Sequence, residues 1–192
     1  MKGSDYFETE LNLIKDDQVK SVVVDLLDHY VNPANFEKPA SSTGKYHPQF
    51  ALGEGGLVRH TKAVVKILWV IERARPSLNW DCLYAAAILH DMYKYSTSSK
   101  WTTKDHPKRC YDEIMFKSTT FSETDLAKKL EFIAEIVRYH MGRWDVEEFD
   151  EIAYRLPEEV PLLHYADIVA SRPWYGTDNV FVTKEDLSEV QN

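Results

Sequence analysis

An all-α helical bundle is the fold this 192-residue sequence predicts, on three observations. Apolar residues recur at three- and four-residue intervals along almost the whole chain, the period of a helix with one buried face. Capping and helix-breaking residues punctuate those stretches at the expected places. The composition, 44% hydrophobic and 28% charged, is that of an ordinary globular chain, without repeats or low-complexity tracts.

The elements follow in order. From Tyr6 to Tyr30, apolar positions at Leu11, Ile14, Val22, Val23, Leu26 and Leu27 predict one broken helix or two short ones. The polar stretch from Asn32 to Gly56, with Ser41-Ser42-Thr43-Gly44 inside it and Gly55-Gly56 at its end, reads as a long loop. Loops of that length in compact domains are usually functional. A helix is predicted from Leu57 to Arg73 on Val58, Ala63, Val64, Ile67, Leu68 and Ile71, and Pro76 closes the region. Asn79 or Asp81 caps the next helix, which carries Leu83-Tyr84-Ala85-Ala86-Ala87-Ile88-Leu89 into His90-Asp91. After a polar loop through Ser96-Thr97-Ser98-Ser99, Pro107 suits the first turn of another helix. Ser122-Glu123-Thr124-Asp125 has the form of a capping box, opening a helix to about His140 that Gly142 can stop. Pro157 and Pro161 bracket the start of a last helix, Leu162 to about Ser171, which Pro173 ends; Asn179-Val180-Phe181-Val182-Thr183 reads as a short strand. One domain is expected over 1–192, with its core at about 55–173, a helical extension and loop at 1–54, and a tail at 174–192.

Charge narrows the function classes. With 23 basic and 31 acidic residues the formal net charge is −8, which weighs against duplex DNA and membrane surfaces as partners. A local basic patch nevertheless lies between Asp91 and Cys110, where Lys94, Lys100, Lys104, Lys108 and Arg109 face the single acid Asp105. A phosphate can be received there. No apolar run approaches a membrane span, and the N-terminus lacks the apolar core of a signal peptide. The two cysteines, Cys82 and Cys110, have no metal-type spacing, so a reducing cytoplasm is expected.

His90-Asp91 is the strongest chemical signal. An imidazole and a carboxylate at the end of an apolar helix need partners, because Asp is almost never buried unpaired. His60, His106, His140 and Asp167 stand in matching contexts, close to helix ends and preceded by apolar residues. His60, His90, Asp91 and Asp167 can supply one divalent-cation site. Asp91 has two oxygens and can bridge to a second ion held by His106 and His140. Mixed imidazole and carboxylate ligands favour Mn²⁺ or Fe²⁺, with Zn²⁺, Co²⁺, Ni²⁺ and Mg²⁺ as alternatives, over all-oxygen calcium sites. His164, three residues before Asp167, reads as a packing residue or as one that orients Asp167, with direct ligation as the alternative. His47, in Lys45-Tyr46-His47-Pro48, reads as a solvated loop residue with substrate contact as the alternative; His29 has no such context. Lys94 is expected to bind substrate and to neutralise charge on a phosphoryl group. Arg143 and Arg172 are candidate helpers, against the reading of each as a solvated surface cation. Trp101, Trp144, Trp174 and Tyr175 can each stack a base, or simply pack.

The stretches Gly55-Gly56-Leu57-Val58-Arg59-His60-Thr61, Ala87-Ile88-Leu89-His90-Asp91-Met92-Tyr93-Lys94, Asp105-His106-Pro107, Tyr139-His140-Met141-Gly142 and Leu163-His164-Tyr165-Ala166-Asp167 resemble the HD superfamily of metal-dependent phosphohydrolases. The resemblance runs from about Gly55 to Arg172. It implies a helical bundle and hydrolysis of a phosphoester or phosphoanhydride bond by metal-activated hydroxide. Members of the superfamily act on dNTPs, nucleoside monophosphates, cyclic dinucleotides, dinucleoside polyphosphates and nucleic acid ends, so a small nucleotide-type substrate is implied. Lys94 completes an H-D-x-x-K form similar to dinuclear members in which the lysine faces the scissile phosphate. The G-G-L-x-x-H-T and Y-H-M-G surroundings look most like bacterial HD-type 3′–5′ exoribonucleases. A single-strand nuclease acting on short RNA or DNA is therefore the alternative, although the segment before Gly55 is too short for the nucleic-acid-binding domain those enzymes carry. No GYP-type motif follows Asp91, unlike the cyclic-di-GMP subgroup. A non-catalytic, metal-bearing regulatory module is the third reading, and the complete ligand set argues against it.

Overall fold

The structure is a computed structural model that describes residues 1–45, 47–95, 101–172 and 183. Among them every regular element is a helix. The chain opens with a 3₁₀ turn, Ser4–Phe7, running into α1 (Glu8–Leu11), followed by α2 (Asp17–His29). Asp16 caps α2 by accepting from the amides of Gln18 and Val19. The expected pair of short helices is therefore present. The long loop is not featureless, since 3₁₀ turns at Pro33–Glu37 and Gln49–Ala51 shape it. Its end is drawn tightly against α3 (Gly56–Glu72): a Cβ on Gly56 would lie 2.2 Å from the Ala51 carbonyl oxygen, so only glycine admits that approach.

Helix α4 (Trp80–Leu89) is the central strut. Asn79 caps it, accepting from the Cys82 amide, while Asp81 instead accepts from the Lys15 amide and ties α1's exit to the strut. All of its residues except Asp81 are buried, which explains why its sequence is apolar on every face. Each large aliphatic side chain buried there, such as Leu83, Ile88 or Leu89, contributes about 1.5–3 kcal/mol. Around α4 pack α2, α3, α6 and α8, and α5 packs along α6.

Helix α5 (His106–Ser118) has Pro107 in its first turn, as predicted. Helix α6 (Asp125–Arg138) departs from expectation at both ends. Thr124 is its cap, accepting from the Ala127 amide, and Glu123 adopts φ 64°, so Ser122 does not close a capping box. The helix ends at Arg138, before His140, which lies in the following turn. A short helix α7 (Phe149–Ile152) precedes α8 (Glu159–Ala170). Helix α8 starts before Leu162 because Pro161 falls within its first turn, where a missing amide costs nothing. Pro173, Trp174, Tyr175, Lys100, the 96–99 loop and all of the expected 179–183 strand except Thr183 lie outside the described residues. No helix among the described residues is long and apolar enough to cross a membrane.

Candidate metal centre

The ends of α4, α5 and α6, the first turns of α3, and α8 converge on one point. His60 comes from α3, His90 caps the C-terminus of α4, and Asp91 follows it. His106 begins α5, His140 lies in the turn after α6, and Asp167 is on α8. His60, His90, Asp91, His106 and His140 are buried, while Asp167 is partly exposed.

Two clusters share Asp91: His60 with His90 and Asp91, and Asp91 with His106 and His140. Oδ2 of Asp91 is 3.7 Å from His60 Nε2 and 3.5 Å from His90 Nε2. Oδ1 is 3.0 Å from His106 Nε2 and 3.5 Å from His140 Nε2. The carboxylate thus presents one oxygen to each pair of imidazoles. Asp167 Oδ1 lies 3.0 Å from His60 Nε2, on the outer side of the first cluster.

Local backbone geometry sets the ring tautomers. Nδ1 of His90 donates to the Ala87 carbonyl at 2.7 Å, Nδ1 of His106 to the Thr103 carbonyl at 2.7 Å, and Nδ1 of His140 to the Val137 carbonyl at 2.8 Å. With the proton on Nδ1, each Nε2 offers a lone pair inward. His106 Nε2 and His140 Nε2 are 3.1 Å apart, so two lone pairs point at each other beside a carboxylate oxygen. His90 Nε2 is buried without a hydrogen-bond partner. Acceptors converging in a buried site are costly unless a cation gathers them. Borderline nitrogen and hard oxygen donors in this mixture fit a divalent transition ion.

The electrostatics agree with that reading. Burial opposes ionisation of Asp91, but the Lys94 ammonium beside it holds its carboxyl well below the usual carboxylate range. Burial likewise opposes ionisation of Asp167, and the close approach of His60 keeps it ionised. Burial pushes the His90 imidazole down to about 4, and His106 is lowered for the same reason, so both stay neutral and able to ligate.

Lys94 Nζ donates to Asp91 Oδ2 at 2.6 Å and is 14% exposed. It lines a cavity of about 390 Å³ together with His106, His140 and Asp167, and with Lys104 and Arg172. Arg172, a candidate helper against its reading as a solvated surface cation, thus lies at the cavity. Arg143 does not line it; its side chain is 69% exposed and its guanidinium lies 3.4 Å from Asp150. Of the remaining basic patch, Lys108 pairs with Asp112, and Arg109 donates to Oγ1 of Thr103 at 3.3 Å. Trp144 lines the cavity; Trp101 is not among its lining residues.

His47 is the residue that sequence reasoning misplaced. It is no solvated loop residue: its ring meets His60 edge-on at 5.2 Å between centroids, and its Nε2 is 3.4 Å from Ser171 Oγ. It lines the cavity, and burial pushes its imidazole down to about 3. Nothing in the local sequence signals this, because the contact depends on where the loop meets α3 and α8. His164 does not touch Asp167's carboxylate; its Nδ1 donates to the His140 carbonyl at 2.7 Å, holding the backbone of a candidate ligand. Its ring also covers Gly142, where a Cβ would fall 2.3 Å from His164 Cε1. His29 is remote, on the exposed side of α2 beside Asp25.

The family model of the HD domain matches residues 57–171, more than half of the chain, a span within which all six candidate ligands fall. No curated protein and no solved structure matches the chain.

Proposed function

The chain belongs to the HD-domain family, generally a family of metal-dependent hydrolases, and from that premise we propose that it is a phosphohydrolase or phosphodiesterase. Its substrate in this reading is nucleotide-type, cleaved at a phosphoester or phosphoanhydride bond. The observation that carries the proposal is the placement of Asp91, one oxygen toward each of two histidine pairs and a lysine ammonium beside it, behind a substrate-sized cavity that Lys94, His106, His140 and Asp167 help to line. His60, His90, Asp91 and Asp167 would hold one divalent ion, and Asp91, His106 and His140 a second. Bound there, such ions supply Lewis acidity toward phosphoryl oxygen and acidify water.

The chain's own residues do the rest. Lys94 is held at the site by Asp91 and sets a fixed positive charge where negative charge grows on the phosphoryl group. Lys104 and Arg172 line the same cavity and draw in an anionic substrate that the net charge of −8 would otherwise repel. Met141, Trp144 and Ile168 give the cavity an apolar side that sheds water.

The test is turnover by purified protein with Mn²⁺ against NTPs, dNTPs, NMPs, cyclic nucleotides, dinucleoside polyphosphates and short RNA and DNA oligomers. Hydrolysis of a small nucleotide, abolished by chelation and restored by adding Mn²⁺ or Fe²⁺ back, is expected. Full activity in chelated, metal-free protein contradicts the proposal, as does silence across the whole panel with metal bound. Activity confined to oligomers would make the protein a single-strand nuclease.

A further inference from the structure

Trp144 is 60% exposed, an unusual setting for the largest apolar side chain, yet it lines the cavity beside the ligand His140. Its position is built in by the turn that follows α6. Gly142 takes φ +57°, a conformation that favours glycine, and the His164 ring occupies the space where a side chain would go. The turn then continues as one 3₁₀ step, Gly142–Trp144. The Arg138–Asp145 ion pair fastens its far end to α6, and the Val146 amide closes it on the Gly142 carbonyl. Arg143 is sent outward to Asp150, while Met141 and Trp144, on either side of it, face the cavity.

The cavity is consequently two-sided. Lys94, Lys104 and Arg172 supply cationic groups, and Met141, Trp144 and Ile168 supply an apolar, aromatic surface. A bare phosphate or a sugar phosphate would use only the first. A volume of about 390 Å³ is close to the lower end of the range for small-ligand sites and suits one nucleotide unit rather than a long chain.

We propose that Trp144 is the base-recognition surface of this cavity, stacking the purine or pyrimidine of a mononucleotide-sized substrate whose phosphate is met by the lysines and Arg172. The proposal rests on the phosphohydrolase reading and adds the part of the substrate that is not hydrolysed. Stacking on an aromatic side chain tolerates any base, because every base has a π face, so Trp144 selects for the presence of a base rather than its identity. Indole fluorescence makes the contact observable without turnover.

Calorimetric titration of the Mn²⁺-loaded protein with AMP and with ribose 5-phosphate tests it, accompanied by tryptophan fluorescence. AMP is expected to bind about tenfold or more tighter than ribose 5-phosphate and to quench the emission. In Trp144→Leu that affinity ratio collapses toward one, and in Trp144→Phe most of it returns. An unchanged ratio in Trp144→Leu overturns the proposal. Equal affinities in the unaltered protein overturn it while leaving the phosphohydrolase reading standing. If neither ligand binds and no phosphoester is turned over, both fall together.

Discussion

His60 and the three other candidate histidine ligands reach the same carboxylate by different physical means. His90, His106 and His140 each lie at a helix end and donate Nδ1 to the carbonyl three residues earlier, so a single turn of backbone fixes ring, tautomer and direction. His60 sits inside α3, has no such carbonyl, and its Nδ1 is buried without a hydrogen-bond partner. Its ring is held by what packs around it: the His47 edge, the His90 ring at 5.6 Å, and Asp167 from α8. One part of the site is written into local turns, the other into tertiary packing. The locally fixed part should tolerate loss of a neighbouring element better, whereas the packed part should depend on the loop before α3 and on α8.

The largest effect is expected where both parts meet. Asp91→Ala removes the carboxylate that both clusters share and leaves Lys94 without its carboxylate partner. Metal content measured by inductively coupled plasma should fall from about two ions per chain toward none, with turnover lost by about three orders of magnitude or more. Circular dichroism should stay helical. Full metal occupancy in this variant would break the assignment of Asp91 as the bridge.

His106→Ala separates the clusters. Metal content should drop from about two toward one, since His60, His90, Asp91 and Asp167 remain, and turnover should fall by roughly two orders of magnitude or more. Unchanged stoichiometry with near-normal rate would leave a mononuclear centre and erase the contrast between the two parts.

Gly142→Ala gives the smallest effect and sharpens the comparison most. Its added methyl meets the His164 ring at 2.3 Å, and its φ of +57° is strained for alanine. A loss of about 1–3 kcal/mol is expected, read as a fall of several degrees in melting midpoint. Because His164 holds the His140 carbonyl, the second ion should weaken while the first does not. Equal weakening of both would show that the two parts are mechanically coupled.

The same contrast explains what could be seen in the sequence. Helices α3, α4 and α6 were legible because their apolar periodicity is strong, and the candidate ligands beside their ends stand in recognisable local contexts. His90-Asp91 could be seen at once, since a carboxylate ending an all-apolar helix has few alternatives. The place of His47 in the site could not, because its partners His60 and Ser171 are distant in sequence and only folding brings the loop to them. Arg143 and Trp144 are adjacent, and nothing in their order tells which faces the cavity; the left-handed Gly142 decides it. The capping box at Ser122 failed for a similar reason. Glu123 turned left-handed and passed the cap to Thr124, two residues on. Local patterns located the helices and most of the residues that converge at the candidate metal centre, while backbone sign and long-range contact determined which side chains shape the cavity.

The central claim is that Asp91 joins two metal positions, and titration of the metal-stripped protein with Mn²⁺, followed by electron paramagnetic resonance, tests it most directly. The account predicts saturation at about two ions per chain with the spectrum of an exchange-coupled pair, reduced in His106→Ala to a single uncoupled ion. Saturation at one ion, or two ions showing no coupling, would contradict it.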